Sequence, residues 1–180
     1  MSGDTANAAL WQTADVYIAP LLTAAPTDVT TAWAAAWDPV GLLDGDEGFT
    51  ETRDQESNEF YAWGGILVKK TKSKHKRTIK FVALEDNDTV FALINPGSTR
   101  NTVTGLTTAT VKVPTNAEFM IGFEVNDGTK RKRRIVERAT VEEIGEVKES
   151  ESGLTAYEVT VVLYPEADGT IYTDISGLSA

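Results

Sequence analysis

From Phe60 to Tyr164 apolar and polar residues alternate with a period of two, in short runs rich in Val, Ile, Thr and aromatics that turn residues separate. Successive side chains of a strand point to opposite faces, so this pattern specifies antiparallel sheet with one face buried. Ala117 to Val125 shows it most plainly: Phe119, Ile121, Phe123 and Val125 share a face, and Asn126 to Thr129 supply turn chemistry before a strand that starts at Lys130. Strands from Ile135 to about Val147 and from Leu154 to Tyr164 follow, joined by the polar turn Glu149 to Gly153. Phe60 to Lys72 and Arg77 to Leu84 are expected to form a hairpin with its tip at Ser73 to Lys76. One short helix is expected between Asp86 and Ile94, capped by Asn87 or Asp88 and stopped by Pro96-Gly97.

These signals predict a mainly β protein, a two-sheet antiparallel β-sandwich or distorted barrel with one short flanking helix and extended N- and C-terminal arms. Residues 1–59 read as an N-terminal arm, a long loop and the first strands, 60–165 as the sandwich core and 166–180 as a tail, within a single domain. Ala19 to Asp38 mixes Pro, Thr and Ala without an apolar period, and Thr31 to Trp37 makes at most a helical turn before Trp37-Asp38-Pro39. Glu166 to Ala180 is rich in Gly, Ser and Asp. Both segments are expected to gain order on meeting a neighbour. The absence of cysteine removes disulfides, thiolate metal sites and cysteine nucleophiles. Met1 to Leu10 lacks the pattern of a signal peptide, and no apolar run is long enough for a membrane helix, so synthesis in the cytoplasm and no membrane partner are expected.

Charge is segregated. Lys69, Lys70, Lys72, Lys74, Lys76, Arg77 and Lys80 form one basic stretch, and Lys130, Arg131, Lys132, Arg133 and Arg134 a second. Together they hold 12 of the 17 basic residues, which leaves five against 27 acidic ones in the rest of the chain, a balance of about −22. Complementary patches of this kind steer a chain towards copies of itself. Both basic stretches are therefore candidate subunit or ring contacts. Phosphate binding is the competing use, but neither stretch interleaves the aromatic residues on which bases would stack.

Catalytic and metal chemistry find little purchase. His75, the single histidine, lies among lysines and has no partner for a triad or a zinc site. Asp44, Asp46 and Glu47 resemble the start of a calcium loop, yet the twelfth position is Gln55 where a bidentate Glu is needed. Gly64-Gly65 reads as a bulge or a close backbone approach in a strand rather than a phosphate cradle. Trp11, Trp33, Trp37 and Trp63 could stack sugars or bases, but three of them lie in the N-terminal third, where aromatics more often anchor into a groove or a core. No catalytic residue, metal ligand or cofactor is assigned.

A family pattern emerges from the order of several pieces: Val16-Tyr17-Ile18-Ala19-Pro20, Pro26-Thr27, Trp37-Asp38-Pro39-Val40-Gly41-Leu42-Leu43, Gly48-Phe49-Thr50, Gly65-Ile66-Leu67-Val68-Lys69, and Thr78 through Asn87. From about Ala14 to Tyr164 the chain resembles the major tail proteins of long-tailed, non-contractile phages, in the style of the actinobacterial phages. The resemblance implies a β-sandwich or distorted barrel, similar to the tube protein of type VI secretion. It further implies stacked rings, hexameric in that family, whose joined sheets enclose a lumen. The implied partners are other copies of the chain, the tape-measure protein, the tail terminator and the distal tail proteins, with DNA passing through without tight binding. Carboxylates suit such a lumen because they repel phosphate, and Glu124, Glu142 and Glu158 are the candidates to line it.

The sequence thus reads as a structural virion protein without catalysis. Its alternatives are a β-sandwich that binds carbohydrate on a virion or cell surface, and a nucleic-acid-binding β-barrel.

Overall fold

The computed structural model describes residue 3 and residues 8–179. The chain runs through β1 (Thr13–Ala19), β2 (Asp38–Pro39), β3 (Thr50–Ala62), β4 (Ile66–Ala83), α1 (Asp88–Ile94), β5 (Thr99–Val103), β6 (Leu106–Thr110), β7 (Phe119–Asn126), β8 (Lys130–Ile144), β9 (Tyr157–Leu163) and β10 (Thr173–Leu178). Every strand pair is antiparallel. One sheet has the order β2-β1-β7-β8-β9-β4-β3, with β10 paired to β8, and β5 and β6 form a second, two-stranded sheet. The architecture is mainly β, as the alternation predicts, and neither sheet closes into a barrel.

The large sheet folds over on itself. Phe81 of β4 and Phe123 of β7 stand three strands apart in the order, yet their rings meet edge to face with centroids 6.0 Å apart. Between them lies the main core, where Ile79, Phe81, Ile121, Phe123, Val159 and Val161 are buried with Val16 and Val40. Burial alternates along β9 with the period read from the sequence, whereas β7 is buried on both faces, Phe119, Ile121 and Phe123 towards this core and Met120 and Glu124 away from it. The segment 38–44 laces the opposed edges together. Asp38 pairs with Ile18 and the Val40 amide donates to Val16, while Leu43 bridges to Ala83 and the Asp44 amide donates to Val82.

α1 forms where expected. The Asn87 side chain accepts from the Val90 amide at 2.9 Å and caps the first turn, and Val90, Phe91 and Leu93 turn inward. The β5–β6 hairpin, closed by Thr104-Gly105 at positive φ, was not anticipated.

Two expectations are corrected. The tail is not a free arm, because β10 pairs along β8 from Thr173↔Ile135 to Leu178↔Lys130. The run Ala19 to Asp38 is packed as a cover over the outer face of β1, β7 and β8, where Trp37, Ala19, Met120 and Ile135 form a second buried cluster with Trp33 and Tyr17 against it. Gly122 makes this cover possible: a Cβ there would fall 2.4 Å from the Trp33 ring.

Candidate assembly surface

The outer half of the β3–β4 hairpin, residues 52–70, is exposed along its whole length. Its tip is Trp63-Gly64-Gly65, with both glycines at positive φ and the Gly65 amide donating to Ala62 at 3.1 Å. The sequence reading placed the tip at Ser73 to Lys76, but β4 runs straight through that stretch. What lies there is a bulge, with Lys74 at φ 54 and the register shifting between Asp54 and Glu56. Gly64-Gly65, read as a bulge, is the turn. His75 is exposed within the true bulge.

Burial of the hairpin falls away towards its tip. Arg77, Ile79 and Phe81 of β4 belong to the body, whereas Thr52 to Lys70 are exposed throughout. Around the turn stand Phe60, Tyr61, Ile66, Leu67 and Val68, each about half exposed or more, and Trp63, fully exposed at 101%. An isolated two-stranded ribbon is marginal in water, and contiguous apolar surface of this kind marks interaction sites.

Most of the first basic stretch is balanced within the chain. Lys70 pairs with Glu59 at 2.8 Å, Lys74 with Glu56 at 2.9 Å, Arg77 with Glu51 at 2.9 Å, and Lys76 with Glu142. Lys80 lies 3.2 Å from Glu158 and 3.5 Å from Glu47. Among the described residues Lys69 and Lys72 form no ion pair, and both are exposed.

The second stretch follows the Asn126–Thr129 turn as predicted, but it is not a solvated hairpin end. Strand alternation sends Arg131 and Arg133 to one face and Lys132 and Arg134 to the other, and each face supplies its own carboxylates. On the outer face Arg133, 1% exposed, donates from Nε to Glu124 at 2.6 Å and from Nη1 to the carbonyls of Asp28 and Thr31 at 2.8 and 2.7 Å. Its guanidinium sits 5.1 Å from the Trp33 ring centroid, and the Trp33 indole N–H donates to Glu124 at 2.8 Å. Arg131 donates to the Val29 carbonyl at 2.9 Å and lies 3.2 Å from Glu124. The covering loop is thus held by guanidinium groups. Asp28, whose carboxylate accepts from the backbone and hydroxyls of Thr31 and Thr30 and is held well below the usual carboxylate range by those bonds, folds the loop locally.

On the opposite face Arg134 donates to Asp174 at 2.8 and 2.9 Å and to Glu51 at 2.7 Å, with the Tyr172 ring centroid 3.9 Å from its guanidinium. Lys132 lies 3.0 Å from Asp174. Burial alone would raise the Asp174 and Glu51 carboxyls; hydrogen bonds from Arg134 and Lys132 to Asp174, and from Arg53 and Arg134 to Glu51, hold both below their ordinary values. Arg131, Lys132, Arg133 and Arg134 thus find carboxylate partners within their own chain. Trp33 anchors into a core as an N-terminal aromatic was expected to, whereas Asp28, Glu51, Tyr172 and Asp174 gave no signal in the sequence.

Of the lumen candidates, Glu124 is 8% exposed beneath the loop, while Glu142 and Glu158 are partly exposed and paired with Lys76 and Lys80. The Asp44 carboxylate accepts from the Asp46 amide at 2.9 Å in a local turn. Among the described residues no group of three or more His, Asp or Glu is arranged to hold a metal ion. No helix among them is long and apolar enough to cross a membrane.

Comparison with known proteins places these features. The model of the phage tail tube protein family matches residues 1–177. No curated protein sequence matches the chain. Among solved structures, the sheath/tube terminator of an extracellular contractile injection system (PVC) in its extended state, seen by cryo-EM, is similar at TM-score 0.50 and 10% identity, covering 91% of this chain and 93% of that one. A sheath–tube complex of the same kind of system is similar at TM-score 0.47 and 12% identity, covering 92% and 88%.

Proposed function

This chain belongs to the phage tail tube protein family, and we propose that it does its structural work by assembling with copies of itself into stacked rings, six subunits to a ring, around a channel for DNA. It is a structural component of the virion tail. Synthesis in the host cytoplasm, and contacts with the tape-measure, terminator and distal tail proteins at the ends and along the channel, complete the reading. The β3–β4 hairpin carries it: a ribbon with an apolar tip anchored in the core only at its base has nothing of its own chain to bury against. Open sheet edges at β3 and β2 point the same way, because assembly is the usual means of closing them.

Glu158, which keeps part of its charge accessible, is proposed to face the channel, and Glu142, paired with Lys76 beside α1, to lie at a contact between subunits. Lys69 and Lys72 are proposed as contacts between subunits. Negative-stain microscopy of the purified protein tests the reading: hollow tubes or six-fold rings are expected, and a persistent monomer at high concentration would overturn it. Duplex DNA added to the tubes should not bind.

A further inference from the structure

A groove of about 670 Å³ runs between α1, the stretch 114–119 and the C-terminal end of β8. Its floor is apolar and continuous with the main core, where Ile18, Leu93, Phe119 and Ile144 meet. Its rim carries five carboxylates, Asp38, Asp88, Glu118, Glu142 and Glu143, and no cation. Glu142 is engaged by Lys76, and Asp88 lies 3.4 Å from Arg100. Asp38, Glu118 and Glu143 form no ion pair among the described residues, and all three are exposed.

We infer that this groove receives the β3–β4 hairpin tip of a second copy of the chain, an inference that rests on the assembly reading above. Two unmatched surfaces fit each other. The tip presents Trp63, Ile66 and Leu67 with the unpaired Lys69 and Lys72 behind them; the groove presents an apolar floor with unpaired carboxylates around it. Its volume lies within the range of about 300–1,000 Å³ in which concave sites bury most of an occupant, and an indole is the side chain that gains most from such burial. The other large cleft, beside β1 and β3, fits less well because its carboxylates Asp15, Asp44, Glu51 and Glu85 stand among Lys132 and Arg134, whereas the groove's lining holds carboxylates without cations. Tip and groove belong to opposite sides of one interface, so each subunit gives a hairpin to one neighbour and takes one from another. Such a head-to-tail contact closes into a ring or continues from ring to ring, according to its rotation.

The absence of cysteine makes the test direct. Ala62→Cys, which keeps the Trp63 indole at the tip, and Ala92→Cys, on the exposed wall of the groove, are mixed, assembled and oxidised with diamide, then run on a non-reducing gel. A disulfide-linked dimer at least tenfold stronger in the mixture than in either variant alone is expected. Tubes without that dimer, or with a dimer between two Ala62→Cys tips or between Ala62→Cys and Leu10→Cys in the other cleft, would overturn the docking and leave tube formation standing. Failure of the unmodified chain to assemble would overturn the assembly reading itself. A second measurement avoids dependence on the tip variant: Glu118→Lys with Glu143→Lys should lower the assembled fraction at least tenfold, and adding Lys69→Glu with Lys72→Glu should restore it. Wild-type assembly by the groove double variant would likewise overturn the inference.

Discussion

Glu124 and Arg133 face each other as directly paired residues of β7 and β8, joined by a 2.6 Å hydrogen bond beneath the Trp33 ring. The pair is stable in burial because its remaining hydrogen-bonding capacity is met: two loop carbonyls accept from the guanidinium, and the indole donates to the carboxylate. Losing Arg133 leaves the buried Glu124 carboxylate with only Arg131 and the indole to answer its charge. Arg133→Ala should therefore cost about 3–5 kcal/mol of folding stability, read from the urea midpoint. A shift no larger than that of Lys72→Ala would show that the pair is dispensable.

Gly122 should tolerate no side chain. The added Cβ of Gly122→Ala would lie 2.4 Å from Trp33 and must displace the ring, which also bonds Glu124. Overpacking of this kind costs about 1–3 kcal/mol. Tryptophan emission should move to longer wavelength as the indole leaves its site, and an unchanged spectrum with unchanged stability would contradict the packing described.

Acid should loosen the attachment of β10. Asp174 and Glu51 have carboxyls held below their ordinary values of 3.8 and 4.5. A depressed folded value means stability that is complete above the unfolded value and is lost as pH falls through the folded one. The thermal midpoint should thus decline between about pH 5 and pH 2, and Asp174→Asn should flatten part of that decline. An identical slope in the variant would assign the acid sensitivity elsewhere.

Much of this was legible before the fold was known, and the exceptions share a cause. The inward residues of β7 and the Asn87 cap are set by local pattern and local hydrogen bonding, which a sequence displays. The stretch Lys69 to Lys76 has no buried face, so its strand conformation leaves no period of two, and a run of lysines around Ser73 and His75 looks like a turn. Arg133 misleads in the opposite sense. Its burial depends on carbonyls of Asp28 and Thr31, about a hundred residues earlier, whose positions come from tertiary packing. The Thr104-Gly105 turn was the one local signal passed over, a positive-φ pair between two threonine-rich runs.

The hairpin tip should separate folding from assembly. Trp63→Ser removes an indole that touches nothing in its own subunit, so the stability of the monomer should stay within about 0.5 kcal/mol of wild type. Sedimentation should show assembly lost under conditions where the wild type forms polymer. Polymer at wild-type yield would remove the tip from the interface.

The lacing of the sheet by residues 38–44 bears on how the molecule comes into being. Val16 and Ala83 lie on the two rims that this stretch ties, and β1 in turn needs β7, whose Asn126 pairs with Thr13. Hardly any of the body is therefore available until most of the chain has left the ribosome, whereas β3 and β4 need only each other and their short turn. Local pairings close sooner than distant ones. β3 and β4 should therefore pair before the groove beside α1 is complete, so on the docking inferred above each newborn subunit would pass through an interval in which it could give a contact but not accept one.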